Sequence, residues 1–142
     1  MRIGDLGDIA TQARRTDEAS FLAAWPRPCL LLAGPGAGAS CGAAVIDLGG
    51  GPTVVTLGRG SRNDIVAPWP SISRQHALVI TGSHETFLVD RRSSNGTFVG
   101  DERLAPDRPH PLREEDEIRF GHELRAVLVT GKGLLARARR LA

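Results

Sequence analysis

Three short polar segments carry the side chains whose types and spacing could do chemistry. They read LGRGSRNDI at residues 57–65, SISRQHA at 71–77 and DRRSSNGTFV at 90–99. Arg guanidinium groups bind oxyanions through paired N–H donors, and Ser hydroxyls and an Asn amide add further donors. This set suits a phosphate monoester and the peptide backbone beside it. The segments hold no carboxylate pair at catalytic spacing, no metal-ligand cluster and no activated nucleophile, so we expect a protein that is not an enzyme.

Two patterns that resemble enzyme motifs have simpler explanations. Ser73, His76 and Asp90 include the residue types of a hydrolase triad, but no Gly-x-Ser-x-Gly sequence frames the serine. The segment GPGAGASCG at 34–42 follows a predicted strand as a phosphate-binding loop would, yet it lacks the Gly-Lys-Ser/Thr ending. We interpret it as a hairpin loop without chemistry of its own.

Short strands separated by turns must position the polar segments. Apolar and alternating runs predict strands at 29–33, 45–46, 53–57, 76–81, 85–90, 97–99, 102–104, 117–120 and 124–128. Turn signals recur between these strands without intervening helices, which favours a β-sandwich or barrel. The polar segments then lie in loops on a rigid scaffold, where binding groups are usually found.

Helical patterns occur only towards the two ends of the chain. Four apolar residues share one helical face: Leu6, Ile9, Ala10 and Ala13. Asp17 is predicted to cap a second helix, which would dock on the following strands through Phe21 and Trp25. The final LLARARRLA predicts one or two amphipathic turns, either a cap on the sandwich or the start of a further segment.

Length and charge limit the function classes. The 142 residues fit one domain of ordinary size, which we divide into an N-terminal helical extension at 1–28, a sandwich at 29–130 and a basic amphipathic tail at 131–142. All but one of the 18 basic residues are Arg, yet the formal net charge is +2 and aromatic residues make up 4%. No block of one charge sign and no row of aromatic platforms is present, so nucleic acid is not an expected partner.

The N-terminus and the cysteines bear on the compartment. Acidic residues stand where a signal peptide needs an apolar core, and the longest apolar run, 29–33, is far shorter than a membrane span. We therefore expect a cytoplasmic protein with reduced thiols and no membrane partner. Cys29 and Cys41 are expected to be small buried hydrophobic residues, because no Cys or His stands beside them at ligand spacing.

Taken in order, the polar segments resemble the forkhead-associated (FHA) domain family. The matching pieces are Gly-Arg with a following Asn-Asp-Ile, then Ser-Arg-x-His-Ala, an Asp at a strand end, Ser-x-Asn-Gly-Thr-x-Val, and Asp-x-Ile-x-Phe-Gly at 116–121. Their order and spacing agree across about residues 53–130. Members of this family are sandwiches of two sheets and about eleven strands that bind phosphothreonine peptides. The resemblance therefore implies an all-β fold of this kind and a phosphopeptide-binding function.

The resemblance also implies a role for each polar residue. Arg59 would be the main phosphate ligand, and the hydroxyls of Ser73 and Ser94 would donate to other phosphate oxygens. Asn95 would hold the peptide by hydrogen bonds to its main chain. Arg74 would add charge near the phosphate or near acidic side chains of the peptide.

Three further residues are expected to support the site. Gly58 precedes the main arginine, and His76 would fix the binding loops by hydrogen bonds. Gly96 completes an Asn-Gly pair, whose local preference is a type I′ turn. Two questions stay open at this point. Arginines 91–92 either favour acidic residues in the target peptide or are simply solvated, and Trp69 either faces the ligand or packs on the sheet.

The implied partner is a phosphothreonine-containing protein in Ser/Thr-kinase signalling, with a Ser/Thr protein kinase or its substrate as candidates. No cofactor is needed. One alternative is a phosphate-independent scaffold or oligomerisation domain that keeps the same fold, although a pure scaffold would need none of Arg59, Ser73 and Asn95. Another is a regulatory domain of a larger transcription or secretion system.

Overall fold

The computed structural model of the chain describes residues 2–34, 43–48, 52–82 and 84–140. The predicted hairpin loop after Gly34, with Cys41, lies outside these ranges. None of the helices within these ranges combines the length and the apolar character that crossing a bilayer requires. In chain order the elements are β1 (Arg2–Asp5), α1 (Leu6–Arg15), α2 (Glu18–Ala24), β2 (Cys29–Ala33), β3 (Ala43–Asp47), β4 (Thr53–Gly58), β5 (Ile65–Val66), β6 (Ala77–Thr81), β7 (Thr86–Asp90), β8 (Thr97–Val99), β9 (Glu102–Arg103), β10 (His110–Pro111), β11 (Glu117–Phe120), β12 (Leu124–Val129) and α3 (Gly131–Arg140).

The strands of the described residues form two sheets. The larger has the order β1-β3-β2-β12-β11-β8-β9, and the smaller has the order β10-β7-β6-β4-β5. Neighbouring strands are antiparallel, except that β4 and β5 are parallel. This arrangement confirms the predicted two-sheet β-sandwich.

The main core lies between the inner faces of the two sheets. Alternation along each strand places every second side chain inward, so in β11 Ile118 and Phe120 are buried while Glu117 is exposed. In the smaller sheet Val55 pairs with Val79, and both are buried.

A second apolar cluster covers part of the outer face of the larger sheet. The predicted face of α1 is buried there, together with Phe21 and Trp25 as predicted. Asp17 caps α2 by accepting a hydrogen bond from the Ser20 N–H at 2.7 Å. Leu134 of α3 packs into the same cluster with Val129 of β12. The C-terminal segment is therefore a helix docked on α1 and α2, while the division of the chain at residues 28 and 130 stays a prediction.

Three strands were missed: β1 and the two-residue strands β5 and β10. β1 pairs with β3 at the edge of the larger sheet, and Asp5 then caps α1 by accepting from the Gly7 N–H at 2.7 Å. The helical pattern begins at the next residue, so only four residues were left to indicate a strand.

Candidate functional site

The three polar segments lie on loops that emerge from one end of the sandwich. The first loop is residues 59–64 between β4 and β5, the second is 67–76 between β5 and β6, and the third is 91–96 between β7 and β8. Leu57 at the end of β4 pairs with Ala77 at the start of β6, and Ala77 pairs with Asp90 at the end of β7. This register brings the three loops side by side.

Backbone and amide hydrogen bonds hold the first loop against the second. The Arg59 N–H donates to the Ser73 carbonyl at 2.9 Å, and the Gly60 N–H donates to the Arg74 carbonyl at 3.1 Å. The Asn63 side-chain amide donates to the carbonyls of Gly60 and Arg74, at 2.8 and 2.7 Å. The path of the first loop is therefore set by bonds that do not use the Arg59 side chain.

Gly58 is needed for this close approach. A Cβ atom at that position would collide with the Arg74 carbonyl oxygen and would lie 2.8 Å from the Asn63 amide nitrogen. A residue with a side chain would push the two loops apart, since the obstacle is backbone rather than a flexible side-chain end.

The Arg59 guanidinium is anchored at one nitrogen and exposed. Its Nε donates to the Ile72 carbonyl at 3.0 Å. Within the described residues, neither a carboxylate nor any other acceptor is recorded on its two terminal nitrogens. Four N–H donors are thus available to an incoming oxyanion, in a fork whose orientation is fixed by the Nε bond.

His76 connects the second and third loops through both ring nitrogens. The Ser73 N–H donates to Nδ1 at 3.0 Å, so the proton is assigned to Nε2, which donates to the Gly96 carbonyl at 2.9 Å. The imidazole is fully buried and packs edge-on against Phe120, with ring centroids 6.0 Å apart. Burial lowers the pKa of His76, against the opposing effects of the Gly96 hydrogen bond and the Asp90 charge. The ring is held in its neutral form.

A hydrogen bond joins the two candidate serines. The Ser94 N–H donates to Ser73 Oγ at 3.1 Å, so the Ser73 hydroxyl is oriented by the third loop while its own hydrogen remains free to donate. Ser94 itself is exposed. Both serines therefore sit at the junction of the second and third loops.

A buried carboxylate shapes the third loop from within. Asp90 accepts hydrogen bonds from the hydroxyls of Ser93 and Thr97, the latter at 2.7 Å, and from the Ser93 N–H at 3.2 Å. Ser93 Oγ in turn accepts from the Gly96 N–H at 3.1 Å. This network satisfies the buried polar groups and turns the chain so that Ser94 faces outward.

Asn95 is positioned by the second loop. Its side-chain nitrogen donates to the Ser71 carbonyl at 2.9 Å, which leaves its amide oxygen as an acceptor. Gly96 has a φ of 90°, whereas Asn95 is not among the residues with positive φ. A type I′ turn requires positive φ at both central residues, so the turn predicted for this pair is wrong. The loop's hydrogen bonds to Asp90 and His76 override the local preference.

Three arginines line a groove beside the loops, which we call the arginine groove. Arg62, Arg74 and Arg91 surround a volume of about 520 Å³ whose floor includes Thr56 and Leu78. These two residues are cross-strand partners on the outer face of the smaller sheet.

The structure resolves the questions about Trp69 and the paired arginines in part. Trp69 is half-buried and packs against the main core. Arg92 and Arg91 both lie near Asp107, with Nε to carboxylate distances of 2.6 and 3.5 Å. Arg91 also lines the arginine groove.

The residue types of a hydrolase triad are not connected as one. In the hydrogen bonds recorded for the described residues, the His76 ring contacts the Ser73 backbone rather than its hydroxyl, and Asp90 bonds Ser93 and Thr97 instead of the ring. Within the described ranges no three His, Cys, Asp or Glu side chains gather as metal ligands.

Sequence reasoning assigned no role to four residues that build the site: Asn63, Ser71, Asp90 and Ser93. Asn, Ser and Asp at strand ends commonly bond nearby backbone groups, which was the available signal. The hydrogen bonds themselves join residues up to 52 positions apart, as from Ser71 to Glu123, so spacing alone did not reveal them.

The comparisons with known proteins agree on one family. Its sequence model, that of the FHA domain, matches residues 55–121. The protein phosphatase 1 regulatory inhibitor subunit PPP1R8 homolog of Arabidopsis thaliana is 39% identical over 67 residues, which cover 46% of this chain and 18% of that protein. This chain thus spans about a fifth of that relative.

Two solved structures show the same fold at moderate identity. The FHA domain of CT664 from Chlamydia trachomatis is 28% identical, with a TM-score of 0.56 over 71% of this chain and 96% of that one. An FHA domain solved in a study of phosphothreonine-dependent interactions is 25% identical, with a TM-score of 0.56 over 72% of this chain and 96% of that one. With the sequence pattern, the sandwich and the loop arrangement in agreement, residues 55–121 of this chain belong to the FHA domain family.

Proposed function

We propose that this protein is a phosphothreonine-dependent peptide-binding module, without catalytic activity or cofactor. The observation that carries the proposal is the Arg59 guanidinium, which is oriented by its Nε bond and has its terminal donors unbonded within the described residues. The hydroxyls of Ser73 and Ser94 lie on the adjoining loops, with one bonded to the backbone of the other. Guanidinium and hydroxyl donors from three loops suit the three oxygens of a phosphate dianion.

The remaining site residues fit the peptide beside the phosphate. Asn95 keeps an amide oxygen for a peptide N–H, and Arg74 is exposed next to the first loop. Recognition of this kind belongs to the class in which arginines read a phosphorylated motif. We expect micromolar affinity, because the interface is small.

The cellular setting is also a proposal. We expect a cytoplasmic partner in Ser/Thr-kinase signalling, either a kinase or its substrate. The relative from Arabidopsis thaliana is a regulatory inhibitor subunit of a protein phosphatase, and the FHA domain at 25% identity was studied for phosphothreonine-dependent interactions. Both support a place in phosphorylation-dependent regulation.

Replacing Arg59 tests the proposal directly. Arg59→Ala should weaken binding of a phosphothreonine peptide by ~2–4 kcal/mol, because a charge-assisted double donor is removed from a dianion. The free energy of unfolding should change little, since an exposed arginine contributes little to folding. Isothermal titration calorimetry and urea denaturation measure the two quantities.

Matched peptides and a matched variant complete the test. Arg125→Ala removes an exposed arginine from the larger sheet and should bind like wild type. Unphosphorylated and glutamate-substituted peptides should bind very weakly, because a carboxylate has one charge and planar geometry. Two results would favour the phosphate-independent scaffold instead. One is that Arg59→Ala binds the phosphothreonine peptide as tightly as wild type does, and the other is that wild type binds the glutamate peptide as tightly as the phosphothreonine peptide.

A further inference from the structure

The arginine groove holds positive charge that the protein itself does not neutralise. Within the described residues no ion pair is recorded for Arg62 or Arg74, and Arg91 reaches Asp107 only at 3.5 Å. Asp107 lies closer to Arg92, at 2.6 Å. Three like charges around one groove repel one another, so an anion placed between them would be bound favourably.

The carboxylates near the groove compensate this charge only in part. Asp107 is shared by two arginines, and Asp64 accepts hydrogen bonds from the backbone and hydroxyl of Thr56 on the groove floor. The groove region therefore has these two negative charges and four positive charges, which belong to Arg62, Arg74, Arg91 and the neighbouring Arg92. A net positive charge therefore remains at the groove.

The groove is continuous with the proposed phosphate site. Gly60 and Arg74 line it, and the same two residues carry the backbone bond that joins the first loop to the second. The outer face of the smaller sheet forms the floor through Thr56 and Leu78. An extended peptide advances about 3.3 Å per residue, so side chains a few residues from the phosphothreonine can reach this groove.

We infer that the arginine groove binds a second anionic side chain of the same peptide, either another phosphorylated residue or a carboxylate. This inference rests on the proposed function, because the phosphothreonine at Arg59 places the peptide. The groove volume of about 520 Å³ accommodates a phosphorylated side chain. Arg62 and Arg91 are the residues assigned to the second anion, with Arg74 between the two sites.

A peptide series tests the inference. Synthetic peptides with one phosphothreonine would carry phosphoserine, glutamate or alanine at each position up to five residues on either side. At one or two positions the second anion should tighten binding by roughly tenfold to a hundredfold, as charge-assisted hydrogen bonds to two arginines allow. Tightening by phosphoserine alone would identify a phosphate site, and tightening by glutamate as well would identify a general anion site.

Variants assign that gain to the groove. The double variant Arg62→Ala/Arg91→Ala should lose the gain from the second anion yet bind the singly phosphorylated peptide as wild type does. Arg125→Ala, on the other sheet, should keep the full gain. The inference is overturned if no position tightens binding, or if the gain persists in the double variant.

The same data separate this inference from the proposed function. In one outcome, a singly phosphorylated peptide binds wild type but not Arg59→Ala, and no second anion tightens binding. That outcome would overturn the groove assignment alone. Absence of binding to every phosphothreonine peptide would overturn both.

Discussion

At the level of single residues, the buried imidazole of His76 links two loops through both ring nitrogens. Its protonation would add a charge in an apolar surrounding and would turn Nδ1 from an acceptor into a donor that faces the Ser73 N–H. Loop geometry and folding stability should therefore both depend on the neutral ring.

The lowered pKa of His76 predicts how stability depends on pH. In the unfolded chain the ring titrates near its ordinary value of 6.5, whereas in the folded protein it takes up a proton only at lower pH. Below about pH 6.5 the unfolded state therefore binds more protons than the folded state. The contribution of the neutral ring to the free energy of unfolding is fully present above that pH and is lost as the pH falls below it. Urea denaturation at pH 7.5 and pH 5.5 measures this loss.

The variant His76→Ala is the comparison for this prediction. At pH 7.5 it should lower the free energy of unfolding by about 2–4 kcal/mol and weaken phosphopeptide binding, because two hydrogen bonds and a buried ring are lost. The difference between wild type and variant should then shrink towards pH 5.5, since only the wild type loses the contribution of a neutral His76. Weakened binding with an unchanged unfolding curve would instead make His76 a direct ligand.

At the level of elements, the binding end is built by loops that bond to one another more than to their own strands. Asn63 bridges the first and second loops, and Asn95 bridges the second and third. The second loop is also joined to the β11–β12 turn, because the His122 N–H donates to Ser71 Oγ at 2.9 Å. The site is therefore an assembly of backbone segments, and the ligand-binding side chains project from it.

Asn63→Ala tests the first of these bridges. It should lower the free energy of unfolding by about 1–2 kcal/mol, because two hydrogen bonds are lost, and it should weaken phosphopeptide binding although Asn63 is not assigned to the ligand. Calorimetry and urea denaturation give both quantities. Glu85→Ala, an exposed change in the β6–β7 turn, is the control, and unaltered affinity of Asn63→Ala would show that Arg59 does not depend on this bridge.

At the level of the whole molecule, the helices complete a second layer on the larger sheet. Leu134 is fully buried among residues from α1 and the sheet. At the entry to α3, a Cβ atom on Gly131 would lie 2.5 Å from the Trp25 carbonyl oxygen, so α2 and α3 meet closely. None of the three binding loops contributes to this cluster.

Leu134→Ala separates stability from binding. It should lower the free energy of unfolding by about 2–5 kcal/mol, as for other buried leucines, while phosphopeptide affinity stays near the wild-type value under folding conditions. Lys132→Ala, exposed on the same helix, should change stability by no more than about 0.5 kcal/mol. A negligible effect of Leu134→Ala would mean that α3 is a detached tail.

The sequence by itself determined the features that depend on short-range pattern. Apolar or alternating runs between turn signals predicted most strands, and the helical face of α1 and the Asp17 cap followed from local spacing. The polar segments also resemble the FHA pattern in order and spacing, and that resemblance supplied the candidate ligands Arg59, Ser73 and Ser94.

Only the tertiary structure decided how distant groups pair. The sheet register sets Leu57, Ala77 and Asp90 side by side, and the close approach at Gly58 depends on the Arg74 backbone. The turn at Asn95 departs from its local preference because the buried bonds around it come from residues elsewhere in the fold. Local propensity acts over a few residues. Bringing these distant residues together costs loop-closure entropy, which is offset only when the whole sandwich forms.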